Sequence, residues 1–141
     1  QFDEAVKILQ GGLLQDPASA DFHSLMATAY SGLQNDDKAT AHRLIAMIIN
    51  EGVTVEDPAA YADASAKKWG AKADAPKFLA EMGAPEEIKT LVRGEYETET
   101  WFWWSKLRAV TMVKGRKVTE LHYQGDPADA APADAAPTST P

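Results

Sequence analysis

The chain has 141 residues, of which 45% are apolar, a formal net charge of −7 and no cysteine. That is enough length for one compact domain with a core, and too much apolar content for global disorder. The lack of cysteine excludes disulfides, thiol catalysis and thiolate metal sites within these residues. Three acidic residues, Asp126, Asp129 and Asp134, stand in the last stretch. The remainder is only mildly acidic, which argues against sequence-independent nucleic-acid binding, since neutralising phosphates needs a basic face. The unbroken apolar run Leu44–Ile49 is far too short for a membrane span. The chain starts at Gln1 and not at Met. Either a leader has been removed, with a periplasmic or otherwise exported cell-envelope location expected, or an upstream part is missing.

Phe2–Gln15 reads as a helix, because Phe2, Ala5, Val6, Leu9 and Leu13 form one stripe at helical spacing. The Gly11–Gly12 pair weakens it and suggests a close helix–helix contact, and Asp16–Pro17 ends it. Ser19–Gln34 reads as a second helix, with Ser19 or Asp21 as its cap. Its expected buried stripe is Phe22, Leu25, Met26, Ala29 and Tyr30, and its polar side is Asp21, Ser24, Thr28 and Ser31. After the cap cluster Asn35-Asp36-Asp37, Lys38–Asn50 forms a third helix that Gly52 stops.

The segment FDEAVKILQGGLLQDP resembles the second helix of a tetratricopeptide repeat, through Phe2, Ala5, Leu9, Gly12 and Pro17. About 34 residues on, Ala39 and Ala46 stand where the next repeat has small residues. Ala27 and Tyr30 fall where a first helix has small and aromatic ones. Arg43, Asp36 and Glu51 depart from the pattern, and a spacing two residues longer aligns the apolar stripes better. The resemblance covers at most Gln1–Gly52. It implies helical hairpins whose concave groove would be lined by Asp21, Ser24, Thr28 and Ser31.

Val53–Glu56 reads as a connector. Asp57-Pro58 then starts a helix over Ala59–Lys72, with Tyr61, Ala64 and Trp69 inward and Ser65 small enough to be buried between them. Asp74–Met82 is a further short helix, capped by Asp74 and ended by Gly83. Four strand candidates follow: Ile88–Arg93, Tyr96–Trp104, Leu107–Lys114 and Lys117–Tyr123. In the second of these, Tyr96, Thr98, Thr100, Phe102 and Trp104 share one face, and Glu97, Glu99, Trp101 and Trp103 the other. Both faces are apolar at the Trp end, so helices are expected on one side and a partner on the other.

The stretch EMGAPEEIKTLVRGEYETETWFWWSKLRAVTMVKGRKV resembles the small outer-membrane lipoproteins that assist β-barrel assembly. The resemblance rests on Gly83 and Pro85, on Thr100-Trp101 followed by Trp103, and on Gly115 before Val118. It implies a helix-backed antiparallel meander over about a quarter of the chain. The family's glycine-led first helix immediately upstream and its lipidated cysteine are lacking here.

The expected fold class is therefore α+β. Tetratricopeptide-like hairpins occupy 1–83, an antiparallel meander of three to four strands occupies 84–124, and an Ala/Pro-rich, extended or disordered tail occupies 125–141.

No catalytic constellation stands out. His23, His42 and His122 fall on separate elements and form no pair at metal-ligand spacing, so no metal or cofactor is expected. Asn35-Asp36-Asp37 lacks the ligand pattern of a calcium loop. Glu95, Glu97 and Glu99 alternate along one strand face and would act as acids only if buried in a cleft. Two surfaces carry a positive signal. One is the polar stripe Asp21, Ser24, Thr28 and Ser31. The other is the patch Trp101, Trp103, Val110 and Met112, whose aromatic and Met composition is that of interface hot spots. The expected function is a non-catalytic adaptor or scaffold subunit of a bacterial-type envelope assembly, bound to a protein partner. The alternative is a small-ligand or glycan-binding module that uses the Trp cluster as a stacking platform.

Overall fold

The structure, a computed structural model, describes residues 1–124. The expected tail, 125–141, lies outside the described residues. Helix α1 (Phe2–Gln15) is followed by α2 (Ala20–Gly32) and α3 (Asp36–Glu51), then by strand β1 (Val53–Thr54). Helices α4 (Pro58–Trp69) and α5 (Ala75–Met82) come next. Strands β2 (Glu87–Arg93), β3 (Tyr96–Trp103), β4 (Arg108–Val113) and β5 (Arg116–His122) follow among the described residues. The architecture is α+β, with helices ahead of an antiparallel sheet in the order β1-β2-β3-β4-β5.

Local chemistry sets most of the boundaries. The Ser19 hydroxyl accepts from the Phe22 N–H at 3.1 Å, Asn35 Oδ1 from Lys38 at 3.3 Å, and Asp57 Oδ1 from Ala60 at 3.2 Å. Each cap satisfies a first-turn donor that the helix itself leaves without a partner. Asp74 does not cap α5. Its carboxylate accepts instead from the Lys117 N–H at 2.7 Å, while the N–H groups of Asp74 and Ala75 donate to the Gly115 carbonyl at 2.8 and 3.0 Å. The β4–β5 turn thus does the capping. Lys114 and Gly115 both have positive φ (53° and 77°), as a two-residue primed turn requires. α4 ends at Trp69, with Gly70 (φ 86°) as its C-cap, three residues before the expected end at Lys72.

The expected glycine contact is half right. A Cβ on Gly12 would lie 3.0 Å from the Phe22 ring, whereas one on Gly11 would meet nothing within 4 Å. Gly32 also serves close approach, against the Phe2 ring.

Among the described residues the sheet has five strands, not three or four. The connector at Val53 contains β1, which pairs Val53 with Thr90 and Thr54 with Lys89. Two exposed residues carry too little pattern to be read as a strand.

The two faces of β3 are divided as the alternation predicts, but both are covered by the chain itself. On one face Ile88, Trp101, Trp103, Val110 and Met112 pack with Ala62, Ala75 and Met82 of α4 and α5. On the other, Phe102, Ala109, Leu121 and Tyr123 pack with Ile45 and Ile48 of α3. The expectation of a partner over one face is therefore corrected. α3, not a second protein, fills that side. Residues before and after Gly83 share both cores.

Along α4, Ala62, Ser65 and Ala66 are buried, while Ala64, expected inward, points out. In α2 the buried residues are His23, Met26, Ala27 and Ala29, and Leu25, expected in the stripe, is exposed. Between β3 and β4, Thr100 and Thr111 stand opposite one another, fully buried, with their hydroxyls 2.8 Å apart.

Candidate functional site

The patch expected from the sequence is not a surface. Trp101, Val110 and Met112 are 0% exposed and Trp103 is 1% exposed. The Trp103 indole N–H donates to the Gly83 carbonyl at 3.0 Å, which ties β3 to the end of α5. These four residues form the core between the sheet and the α4–α5 pair. The composition that marks an interface hot spot is also that of a core, and α4 and α5 are the covering elements. The second expected surface is exposed: Asp21, Ser24, Thr28 and Ser31 all face solvent on α2. Thr28 Oγ1 donates to the Ser24 carbonyl at 3.2 Å, a local back-bond that uses its hydroxyl within the helix. None of the four lines the cleft beside β5 or the cleft beside α4.

Two clefts among the described residues are lined by other side chains. The first, about 490 Å³, lies between the helices and strand β5. Tyr30, Lys38 and His42 contribute one wall, and the whole run Lys117–Tyr123 the other. β5 ends the strand order and so has one edge without a neighbouring strand among the described residues. Tyr123 donates its N–H to the Leu107 carbonyl at 2.9 Å, and Leu121 and Thr119 stand opposite Ala109 and Thr111. By the two-residue alternation of an antiparallel ladder, the main-chain groups of Leu121 and Thr119 face β4, and those of Glu120 face away from it. Register shifts between Thr111 and Met112, which pair with Thr119 and Lys117, so Val118 bulges out, 55% exposed.

Behind this cleft lies a cluster that the linear sequence does not display. His23 on α2 and His42 on α3 are buried, with their Nδ1 atoms 3.0 Å apart. The Pro17 carbonyl, 2.9 Å from His23 Nε2, can only accept, so that nitrogen carries the proton. His23 Nδ1 is then the acceptor and His42 Nδ1 the donor. The Tyr123 hydroxyl lies 3.3 Å from the same Nε2 and serves as a second acceptor. Tyr30 stacks on the His42 ring at a 5.6 Å centroid distance.

Burial holds both imidazoles neutral. It lowers the His23 pKa, against the opposing bond to Pro17. It pushes His42 down to about 3, helped by the neighbouring His23 and Lys38. Burial likewise raises the Tyr123 hydroxyl, which stays protonated. Among the described residues, no group of three or more His, Cys, Asp or Glu is arranged to hold a metal ion.

The second cleft, about 650 Å³, lies between α4 and the β3–β4 end of the sheet. Glu99 sits in it, 9% exposed, although Glu97 two residues earlier is exposed. The Ser65 hydroxyl and the Trp101 indole N–H both donate to Glu99 Oε1, at 2.9 and 2.7 Å. Burial raises the carboxyl above the usual range, those two bonds oppose it, and Glu97 adds to it. Of the three alternating acids Glu95, Glu97 and Glu99, the sequence did not single out Glu99 as the buried one. The signal was Ser65, small and polar between Tyr61 and Trp69, a position that suits a hydroxyl facing a buried carboxylate.

Among the described residues, no helix is long and apolar enough to cross a membrane. Comparison of the chain with protein-family models, with curated proteins and with solved structures finds no match, so the functional reading rests on the geometry of these clefts.

Proposed function

We propose that this chain is a non-catalytic protein-interaction module, an adaptor or scaffold subunit, that takes an extended segment of a protein partner along the outer edge of β5. One observation carries the reading. The terminal strand of the sheet forms a wall of the 490 Å³ cleft over its length from Lys117 onward, and helices form the opposite wall. An edge strand is a template for main-chain pairing, and a strand edge beside a helix recognises an added strand by backbone bonds and its side chains by the flanking pocket. The bulge at Val118 breaks the regular edge, so pairing is confined to the Thr119–Tyr123 side of the strand.

Lys38, Asp37, Lys117 and Glu120 give the cleft both signs of charge. That arrangement selects register more than it adds affinity. The tetratricopeptide-like pattern of α1–α3 agrees with a scaffold role, and the resemblance of the meander to envelope lipoproteins motivates the cell-envelope location. Both remain part of the proposal.

Peptides selected by display against the folded chain provide the test. Amide shifts from Thr119 to Tyr123 on binding are expected, with loss of binding in Glu120→Pro, which removes an outward N–H, but not in Glu120→Gln, which keeps that N–H while removing the ion pairs to Arg108 and Lys117 and the carboxylate beside His122. Comparing the whole chain with residues 1–124 shows whether the acidic, proline-containing stretch 125–141 competes for the same edge. Selected peptides that shift α2 residues around Ser24 and Thr28, and leave β5 unmoved, would overturn the assignment.

A further inference from the structure

We infer that the cleft between α4 and the β3–β4 end of the sheet binds a small organic ammonium ion, with the Glu99 carboxylate as its counter-ion. This site is distinct from the β5 edge, and none of its lining residues is shared with the first cleft.

Both hydrogen bonds to Glu99 land on Oε1, and among the described residues Oε2 receives none. Glu99 lines the cleft. A carboxylate with one oxygen tied down and the other turned to a cavity is poised to accept from a ligand N–H.

The walls point to the same charge. Tyr61, Trp69 and Tyr96 are among the residues that line the cavity, and aromatic rings attract cations. Trp69 already holds one, since Lys68 Nζ lies 4.8 Å from its ring centroid. The ionisable lining comprises Glu95, Glu97 and Glu99 against Lys68 and Lys114, three carboxylates to two ammonium groups, a net single negative charge. Tyr61 adds no charge, because burial, with Glu99 and Glu97 beside it, keeps its hydroxyl protonated. The cavity volume falls in the range of small-molecule sites, roughly 300–1,000 Å³.

A neutral polyol would stack on the rings and donate hydroxyls to Oε2, but it would add no positive charge beside the carboxylate, which has only the charge of Lys68 to set against its burial and Glu97. An ammonium group satisfies the carboxylate and the aromatic walls together. Amines are therefore favoured over sugars.

The Trp101 indole N–H, bonded to Glu99 Oε1, serves as a reporter at the floor of the site. The whole chain is titrated with n-butylamine, with 1-butanol as the uncharged analogue of equal length and with methyl glucoside. Indole N–H resonances are followed by NMR. n-Butylammonium is expected to shift the Trp101 and Trp69 signals saturably, and 1-butanol and the glucoside to bind on the order of tenfold more weakly or not at all. Glu99→Gln keeps an acceptor for Ser65 and Trp101, and should weaken the amine by roughly tenfold or more. If that variant fails to fold, the exposed Glu97→Gln, which removes one charge from the rim, is expected to weaken it by a few-fold. Equal affinity for butanol or the glucoside, unchanged binding in a folded Glu99→Gln (or in Glu97→Gln, should it be needed), or no saturable shift with the amine would each overturn the proposal.

Discussion

Acid should destabilise this fold through His42 before it does so through most carboxylates. The side chain is 4% exposed, and its pKa is held at about 3 by burial and by His23 and Lys38. In the unfolded chain it titrates near the ordinary histidine value of about 6.5. The folded value is thus the lower one, and the unfolded state takes up the proton first. Stability is full above about pH 6.5 and is lost as the pH falls towards the folded value. At pH 5, about 1.5 pH units below the unfolded value, His42 alone removes about 2 kcal/mol at roughly 1.4 kcal/mol per pH unit. Folded domains have only about 5–15 kcal/mol to lose.

His23 acts in the same direction, its pKa also being lowered. Glu99 acts in the opposite one: its raised carboxyl favours folding below its folded pKa and loses that contribution as the pH rises through it. The clean measurement is therefore a difference. Urea denaturation at about pH 7.5 and pH 5 is compared for the wild type and for His42→Asn, whose amide can still donate to His23 Nδ1. The wild type should lose about 2 kcal/mol more than the variant over that interval. Equal losses in the two proteins would show that His42 is already solvated and protonatable in the folded state, and the buried neutral pair would be refuted.

Trp103→Ala should cost about 3–5 kcal/mol in denaturant unfolding of the isolated chain, because the indole is a core side chain and not a docking surface; a loss under about 1 kcal/mol would return it to the surface. Thr100→Val strands the Thr111 hydroxyl and should cost about 1–2 kcal/mol, whereas the Thr100→Val, Thr111→Val double variant should recover most of that; additive losses would show that the two hydroxyls do not depend on one another. Gly115→Ala should destabilise by about 2 kcal/mol or more, since its φ of 77° strains a side chain and the added Cβ would lie 2.6 Å from the Trp69 Cβ; a change within about 0.5 kcal/mol in thermal or urea unfolding would mean that the turn does not pack on α4 as described.

Helices α1 to α3 were legible because each carries its own punctuation. Ser19 and Asn35 cap, Asp16–Pro17 interrupts, and apolar residues recur at helical spacing. Strands β2 to β5 were legible because Gly94, the polar pair Ser105-Lys106 and Gly115 separate runs rich in β-branched and aromatic residues. The short β1 was not, since two exposed residues owe their strand state to Thr90 and Lys89, more than thirty positions away. The candidate sites were the least legible part. His23 and His42 lie 19 residues apart and become a pair only when α2 and α3 fold side by side. Glu99 looks like one of three alternating surface acids until Ser65 on α4 closes over it.

The sequence by itself determined the order and type of nearly every element and the division of β3 into two faces, because caps, turn glycines and side-chain periodicity act within a few residues. Only the tertiary structure decided that α4 and α5 bury Trp101 and Trp103, that α3 covers the opposite face, and that β5 is left at the edge beside a cleft. The physical reason is that an apolar stripe specifies that something must cover it, but not what. Which element does so depends on chain connectivity and on packing between residues far apart in the sequence.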